Sequence, residues 1–175
     1  MGKSKGKSLV TESADELFYM AELDIMGVDS FVTNPKYPVD RMYTLICFHV
    51  TMAVEKFLKG FIICNGKPVE KIHSLDVLQE AAMKIDRSFS EIKNDCILLN
   101  TFIPNIKYNN ENLISKQDMD KILESLEAIC NFPPIRSMRE SFSKIHNYEI
   151  VTEIIAQTLP EDNGKDDRLK NTKTP

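Results

Sequence analysis

Ionisable side chains, among them His49, Glu55, Lys56 and Lys59, stand on an otherwise greasy stretch, the run Lys36–Gly60. A helix apolar on most of its circumference belongs at the centre of a bundle. Ionisable groups on such a helix need partners or a purpose. His49 and Lys56 are two turns apart and share a face with Met52 and Ala53, so the histidine fits either a ligand contact or a satisfied core position. Thr44, Thr51, Glu55 and Lys59 form a second stripe, interrupted by Phe48. Glu55 and Lys59 are spaced i,i+4 with the acid first, the favourable order for a pair; a solvated strip is the plainer alternative. His73 precedes Ser74-Leu75-Asp76, beside an anion held by a helix N-terminus or simply beside a local cap.

Metal chemistry has little to build on. The chain has three histidines, and Cys47, Cys64, Cys96 and Cys130 are widely spaced with no CxxC pair, so they read as buried reduced thiols. No metal site and no cofactor is expected.

The elements that must position these residues are helices. Six Gly and eight Pro in 175 residues, with no strict apolar/polar alternation, point that way. Ser13 and Glu16 form a capping box for a first helix running to about Asp29, and Asn34-Pro35 marks a connector. Pro38 suits the first turn of the long helix, which should reach about Asn65 and stop at Gly66. Ser74 caps a third helix to about Ile85, and Ser88 or Ser90 starts a fourth that carries Ile92, Cys96, Leu99 and Ile103 and ends at Pro104. The Asn-rich stretch Asn105 to Leu113 reads as a loop. Ser115 with Asp118 opens a fifth helix, with Met119, Ile122, Leu126 and Ile129 as its stripe, and Pro133-Pro134 breaks or kinks it. A last helical segment runs from Ile135 to about Leu159. The expected fold is all-α, an up-and-down bundle of five or six helices over 13–159, between a flexible basic tail (1–12) and a disordered polar tail (160–175).

Length and composition agree with one ordinary domain: 42% hydrophobic and 27% charged residues, with a net charge of −4. That charge argues against a wholesale electrostatic grip on duplex DNA, though it leaves room for a local basic patch. The basic N-terminus is followed by no apolar h-region, and Gly6 stands where a myristoylation pattern wants Ser or Thr. No apolar run approaches membrane-spanning length. A cytoplasmic protein is expected.

The run Cys47-Phe48-His49-Val50-Thr51-Met52-Ala53-Val54-Glu55-Lys56-Phe57-Leu58-Lys59-Gly60, preceded by Tyr37-Pro38 and followed by Gly66 and His73-Ser74-Leu75, resembles the signature of the HEPN domain (the higher-eukaryote and prokaryote nucleotide-binding domain), in its bacterial and archaeal branch. The likeness covers about Ser13 to Cys130. Thr51-Met52 stand where that branch has a Gln-Gln pair, and Lys107-Tyr108-Asn109 where it often has Arg-Tyr-Pro. The resemblance implies a helical bundle, often a homodimer, that binds a nucleotide, RNA or a nucleotidyltransferase partner. It implies a polar ligand site of His49, Glu55, Lys56, Lys59 and His73, with Thr51, Arg41 and Tyr108 nearby.

Many members of that family are metal-independent ribonucleases that use Arg-x(4–6)-His. There the histidine is general acid or base at the ribose 2′-hydroxyl, and the arginine stabilises charge on the phosphate. Arg139 and His146 match the upper spacing, although Glu140 sits beside the arginine and the pair follows Pro133-Pro134. The favoured reading is a non-catalytic binding module. A toxin-like ribonuclease using Arg139 and His146, or a purely structural dimeric partner, are the alternatives.

Overall fold

The computed structural model describes residues 8–33, 36, 39–108 and 114–150, without the side chains of residues 40, 41 and 104–108. Expectations placed on the remaining residues, including the polar tail after Leu159 and the basic tail up to Lys7, lie outside it.

The described residues form six α-helices: α1 (Ala14–Val32), α2 (Tyr43–Cys64), α3 (Leu75–Met83), α4 (Lys93–Tyr108), α5 (Lys116–Asn131) and α6 (Pro133–His146). Short 3-10 turns lead into α2 (Val39–Met42) and α4 (Arg87–Ile92). No strand occurs among the described residues. An isolated antiparallel bridge joins Leu9 to Glu70, and with it Ser8–Val10, read from sequence as part of a flexible tail, lies along the loop after α2. There Val10 N–H donates to Val69 C=O at 2.8 Å, and Lys71 N–H to Ser8 C=O at 2.9 Å.

The two capping boxes work as their chemistry dictates, whereas the Ser74 side chain makes no cap bond on α3, and Asp86 rather than Ser88 or Ser90 caps the 3-10 turn that leads into α4. The Glu16 carboxylate accepts from the backbone N–H and hydroxyl of Ser13, both at 2.8 Å. On α5, Ser115 Oγ accepts from Asp118 N–H at 3.1 Å while Asp118 accepts in return from Ser115 N–H at 3.2 Å. At the end of α2, Gly66 takes a left-handed φ of +70°. Lys67 N–H then bonds Ile62 C=O at 3.2 Å and Gly66 N–H bonds Ile63 C=O at 2.9 Å, closing the last carbonyls of the helix.

Three further expectations need correction. Pro104 does not end the fourth helix: α4 continues through it to Tyr108, taking Asn105–Tyr108 out of the expected loop. A proline forfeits one backbone bond to the carbonyl four residues back, and that loss did not stop α4. The helix expected from Ile135 is broken after His146, because Asn147 adopts φ 53°, ψ 51°, and its expected continuation over residues 151–159 lies outside the described residues. The α-helical part of the long helix begins at Tyr43, with Val39–Met42 in a 3-10 turn rather than a first α turn after Pro38. Pro133-Pro134 breaks the chain between helices, Pro133 opening α6 at a position where its missing N–H costs nothing.

α2 is the hub and touches α1, α3, α4, α5 and α6. Fourteen of its residues are buried, among them Ile46, Val50, Val54, Phe57 and Leu58. Its closest neighbour is α1, and Gly60 explains the approach: a Cβ there would lie 2.6 Å from the Phe18 ring. Phe18 in turn stacks between Phe57 and Phe142, each at 5.2 Å.

Candidate functional site

Two clusters of the same composition sit on different faces of α2, each a carboxylate holding one lysine and one histidine. In the first, Asp24 comes from α1. Its Oδ1 lies 2.9 Å from His49 Nδ1, and its Oδ2 accepts from Lys56 Nζ. The His49–Lys56 face inferred from spacing is therefore real, and what it faces is an acid on the neighbouring helix. The imidazole lies against α1 at Gly27, where a Cβ would stand 3.5 Å from His49 Nδ1, an ordinary van der Waals contact. Phe31 and Phe48 flank the ring at 5.7 and 5.5 Å. The His49 side chain keeps 25% of its surface exposed, against 14% for Asp24 and 11% for Lys56.

In the second cluster, Glu55 Oε1 accepts from Lys59 Nζ at 2.6 Å, the i,i+4 pair read from sequence. Both side chains are nearly dry, so this is no solvated strip. His73, on the loop before α3, brings Nδ1 to 3.0–3.1 Å from both Glu55 oxygens while 59% of its side chain faces solvent. A buried pair satisfies its charges internally, and the exposed imidazole is the part of the cluster that meets solvent. Next to it, Asn100 of α4 accepts from Leu75 N–H at 3.1 Å, and Ser74 Oγ donates to Asp76. The Ser74 hydroxyl, with the Val77 N–H, holds Asp76 below the usual carboxylate range.

Thr51 is buried, and its hydroxyl donates to Phe48 C=O at 2.9 Å. Its polar group is thereby consumed within α2. Arg41 lies in the 3-10 turn and Tyr108 at the end of α4, and their side chains are outside the description.

Arg139 and His146 are not brought together. Arg139 is buried under a bidentate pair with Glu22, Nε to Oε1 at 2.5 Å and Nη2 to Oε2 at 2.9 Å. Nη1 reaches Cys130 C=O at 3.3 Å, and the guanidinium lies 5.5 Å above the Phe57 ring. Burial alone would pull the guanidinium down, but the hydrogen bonds and charge of Glu22 raise it above its ordinary value. His146 is exposed at the end of α6, 3.2 Å from Asp15 on α1. Glu140 pairs with Arg136 rather than Arg139. Among the described residues no group of His, Cys, Asp and Glu could hold a metal ion.

Asp24 and Glu22 were missed from sequence. Each sits on α1 among residues whose spacing marks the core face, an acid on a buried row, and that was the available signal.

A family model for the HEPN domain matches residues 39–137, from the 3-10 turn before α2 to the first turns of α6. The chain belongs to the HEPN family. Membership and the all-helical bundle agree, and they mark a nucleotide- or RNA-related helical module. No curated protein and no solved structure matches the chain. In HEPN terms the matched region holds His49, Glu55, Lys56, Lys59 and His73, whereas Asp24 and His146 fall outside it. No described helix is long and apolar enough to cross a membrane.

Proposed function

We propose that this HEPN chain is a non-catalytic, homodimeric module whose α2 clusters bind a phosphate-bearing ligand of the nucleotide class. The observation that carries the reading is the paired design on α2. Two buried carboxylate–lysine pairs each hold a histidine that reaches the surface, His49 at 25% and His73 at 59% exposure. Each imidazole has one nitrogen tied to a carboxylate and the other left to meet a ligand, the usual arrangement of an oriented histidine. A ribonuclease role for Arg139 draws no support from its position: its guanidinium is spent on Glu22 in a site 2–3% exposed, and an arginine that stabilises a phosphate must reach it.

The test titrates purified protein with ATP by calorimetry and with a short single-stranded RNA by fluorescence anisotropy. Saturable binding of ATP that weakens at least about tenfold in His73→Ala supports the reading, a loss of about 1.4 kcal/mol. No saturable binding, or equal binding by the variant, refutes it. Saturable binding of RNA alone moves the ligand class to nucleic acid. RNA cleavage in EDTA that is lost in His146→Ala would replace the binding reading with the ribonuclease one.

A further inference from the structure

The two histidine clusters on α2 differ in one respect that bears on what each binds. The His49 imidazole is bordered by aromatic rings, Phe31 of α1 at 5.7 Å and Phe48 at 5.5 Å. Phe31 packs against the core, whereas Phe48 is 41% exposed. Leu45, one turn earlier on the same face, is 40% exposed and widens the apolar surface. Among the described residues no aromatic ring packs against His73. A phenyl face carries the negative side of the ring quadrupole and so offers a phosphate nothing. To a flat base it offers a stacking surface.

The polar half of the same cluster defines the edge such a base would meet. Asp24 takes His49 on one oxygen and Lys56 on the other. A carboxylate only accepts, so Nδ1 carries the proton it donates, and the neutral ring presents Nε2 as an acceptor. Nε2 has no partner among the described residues and is not buried. That unspent acceptor beside the ring separates this surface from a bare apolar face awaiting a second copy. The Phe48 and imidazole planes stand 78° apart, so a base lying flat on Phe48 meets the imidazole edge-on. An acceptor at a base edge selects the exocyclic amine of adenine or cytosine and rejects the carbonyl that uracil has in its place.

We propose, on the nucleotide-class reading above, that Phe48 and His49 form a nucleobase subsite. The base stacks on Phe48, its exocyclic amine donates to His49 Nε2, and Asp24 is the positioning residue that fixes the ring. Asp24 and Phe31 lie outside the region matched by the family model, so membership alone does not supply this arrangement.

The test titrates the full chain with adenosine, cytidine and uridine, which carry no phosphate, and follows the amide shifts by NMR. Adenosine and cytidine binding about tenfold tighter than uridine supports the subsite. Phe48→Leu, which keeps the apolar character but removes the ring, should weaken adenosine about tenfold, and Phe48→Trp should retain it. No adenosine binding, equal binding of uridine, or parent-like binding by Phe48→Leu overturns the proposal. A change of oligomeric state in Phe48→Leu without nucleoside binding also overturns it and assigns the ring to a contact between copies. Inorganic tripolyphosphate keeps the two clusters apart. Tripolyphosphate binding that His73→Ala weakens, with no adenosine binding, leaves the phosphate reading standing and removes this one. Adenosine binding without ATP or tripolyphosphate binding supports the base subsite and refutes the phosphate reading.

Discussion

At the scale of single residues, the two arginine–histidine candidates divide cleanly into a structural group and a surface group. Arg139 neutralises Glu22 in a buried site, so Arg139→Met leaves a buried carboxylate uncompensated. Urea unfolding should show a loss of about 3–5 kcal/mol, and the double variant Glu22→Met/Arg139→Met should recover much of it. His146→Ala, removing a pair whose partners are 40% and 38% exposed, should stay within about 0.5 kcal/mol of the parent. Equal losses for both variants would mean that the burial of Arg139 contributes nothing special. The thiols divide in the same way. Burial pushes Cys47, Cys96 and Cys130 up to about 12, whereas Cys64 is exposed. Because the thiolate is the reactive form, a disulfide-exchange reagent at neutral pH should titrate one thiol quickly in the native protein and all four in denaturant.

At the scale of elements, the bundle depends on one close approach. Gly60→Ala would press a methyl group 2.6 Å from Phe18. Overpacking of this kind costs about 1–3 kcal/mol, against roughly 1 kcal/mol regained in helix propensity. A lower melting temperature with unchanged helical circular dichroism is the expected outcome, and a more stable variant would contradict the tight α1–α2 contact. Ser115→Ala should cost about 1 kcal/mol, since it removes the acceptor that Asp118 N–H uses. Helices of this kind were legible from sequence because their signals are local: Ser13–Glu16, Gly66, the stripe of α5 and the break at Pro133 all act within one turn. Pro104 misled for the same reason. A local rule ended the helix there, and α4 continues through it.

At the scale of the whole molecule, the fold was legible and the partners within it were not. The lysine–glutamate pair on α2 could be read at i,i+4. Asp24 lies 25 residues from His49 and 32 from Lys56, and Glu22 lies 117 from Arg139. Periodicity locates a face without naming what it meets. The buried acids of the whole chain also set its response to base. Cys47, Cys96 and Cys130 rise from an ordinary value of 9.0 to about 12 through burial, and Tyr148 rises from 10.0 to about 12 for the same first reason. A folded-state value above the unfolded one contributes stability that is fully present below the unfolded value. That stability is lost as pH rises through the folded one. The urea midpoint should therefore begin to fall above pH 9 and continue falling towards pH 12, and a flat profile across that range would contradict the burial of these groups.

The pair between Glu22 and Arg139 also has a consequence for biosynthesis. At roughly 5–20 residues per second, a ribosome needs about 6–23 s to travel from the codon for one to the codon for the other. Throughout that interval the newborn first helix carries a carboxylate whose buried resting place cannot yet be completed. Chains arrested just before Arg139 should consequently be cut by protease within α1 faster than chains arrested after α6. The N-terminal helix is made first but is secured last.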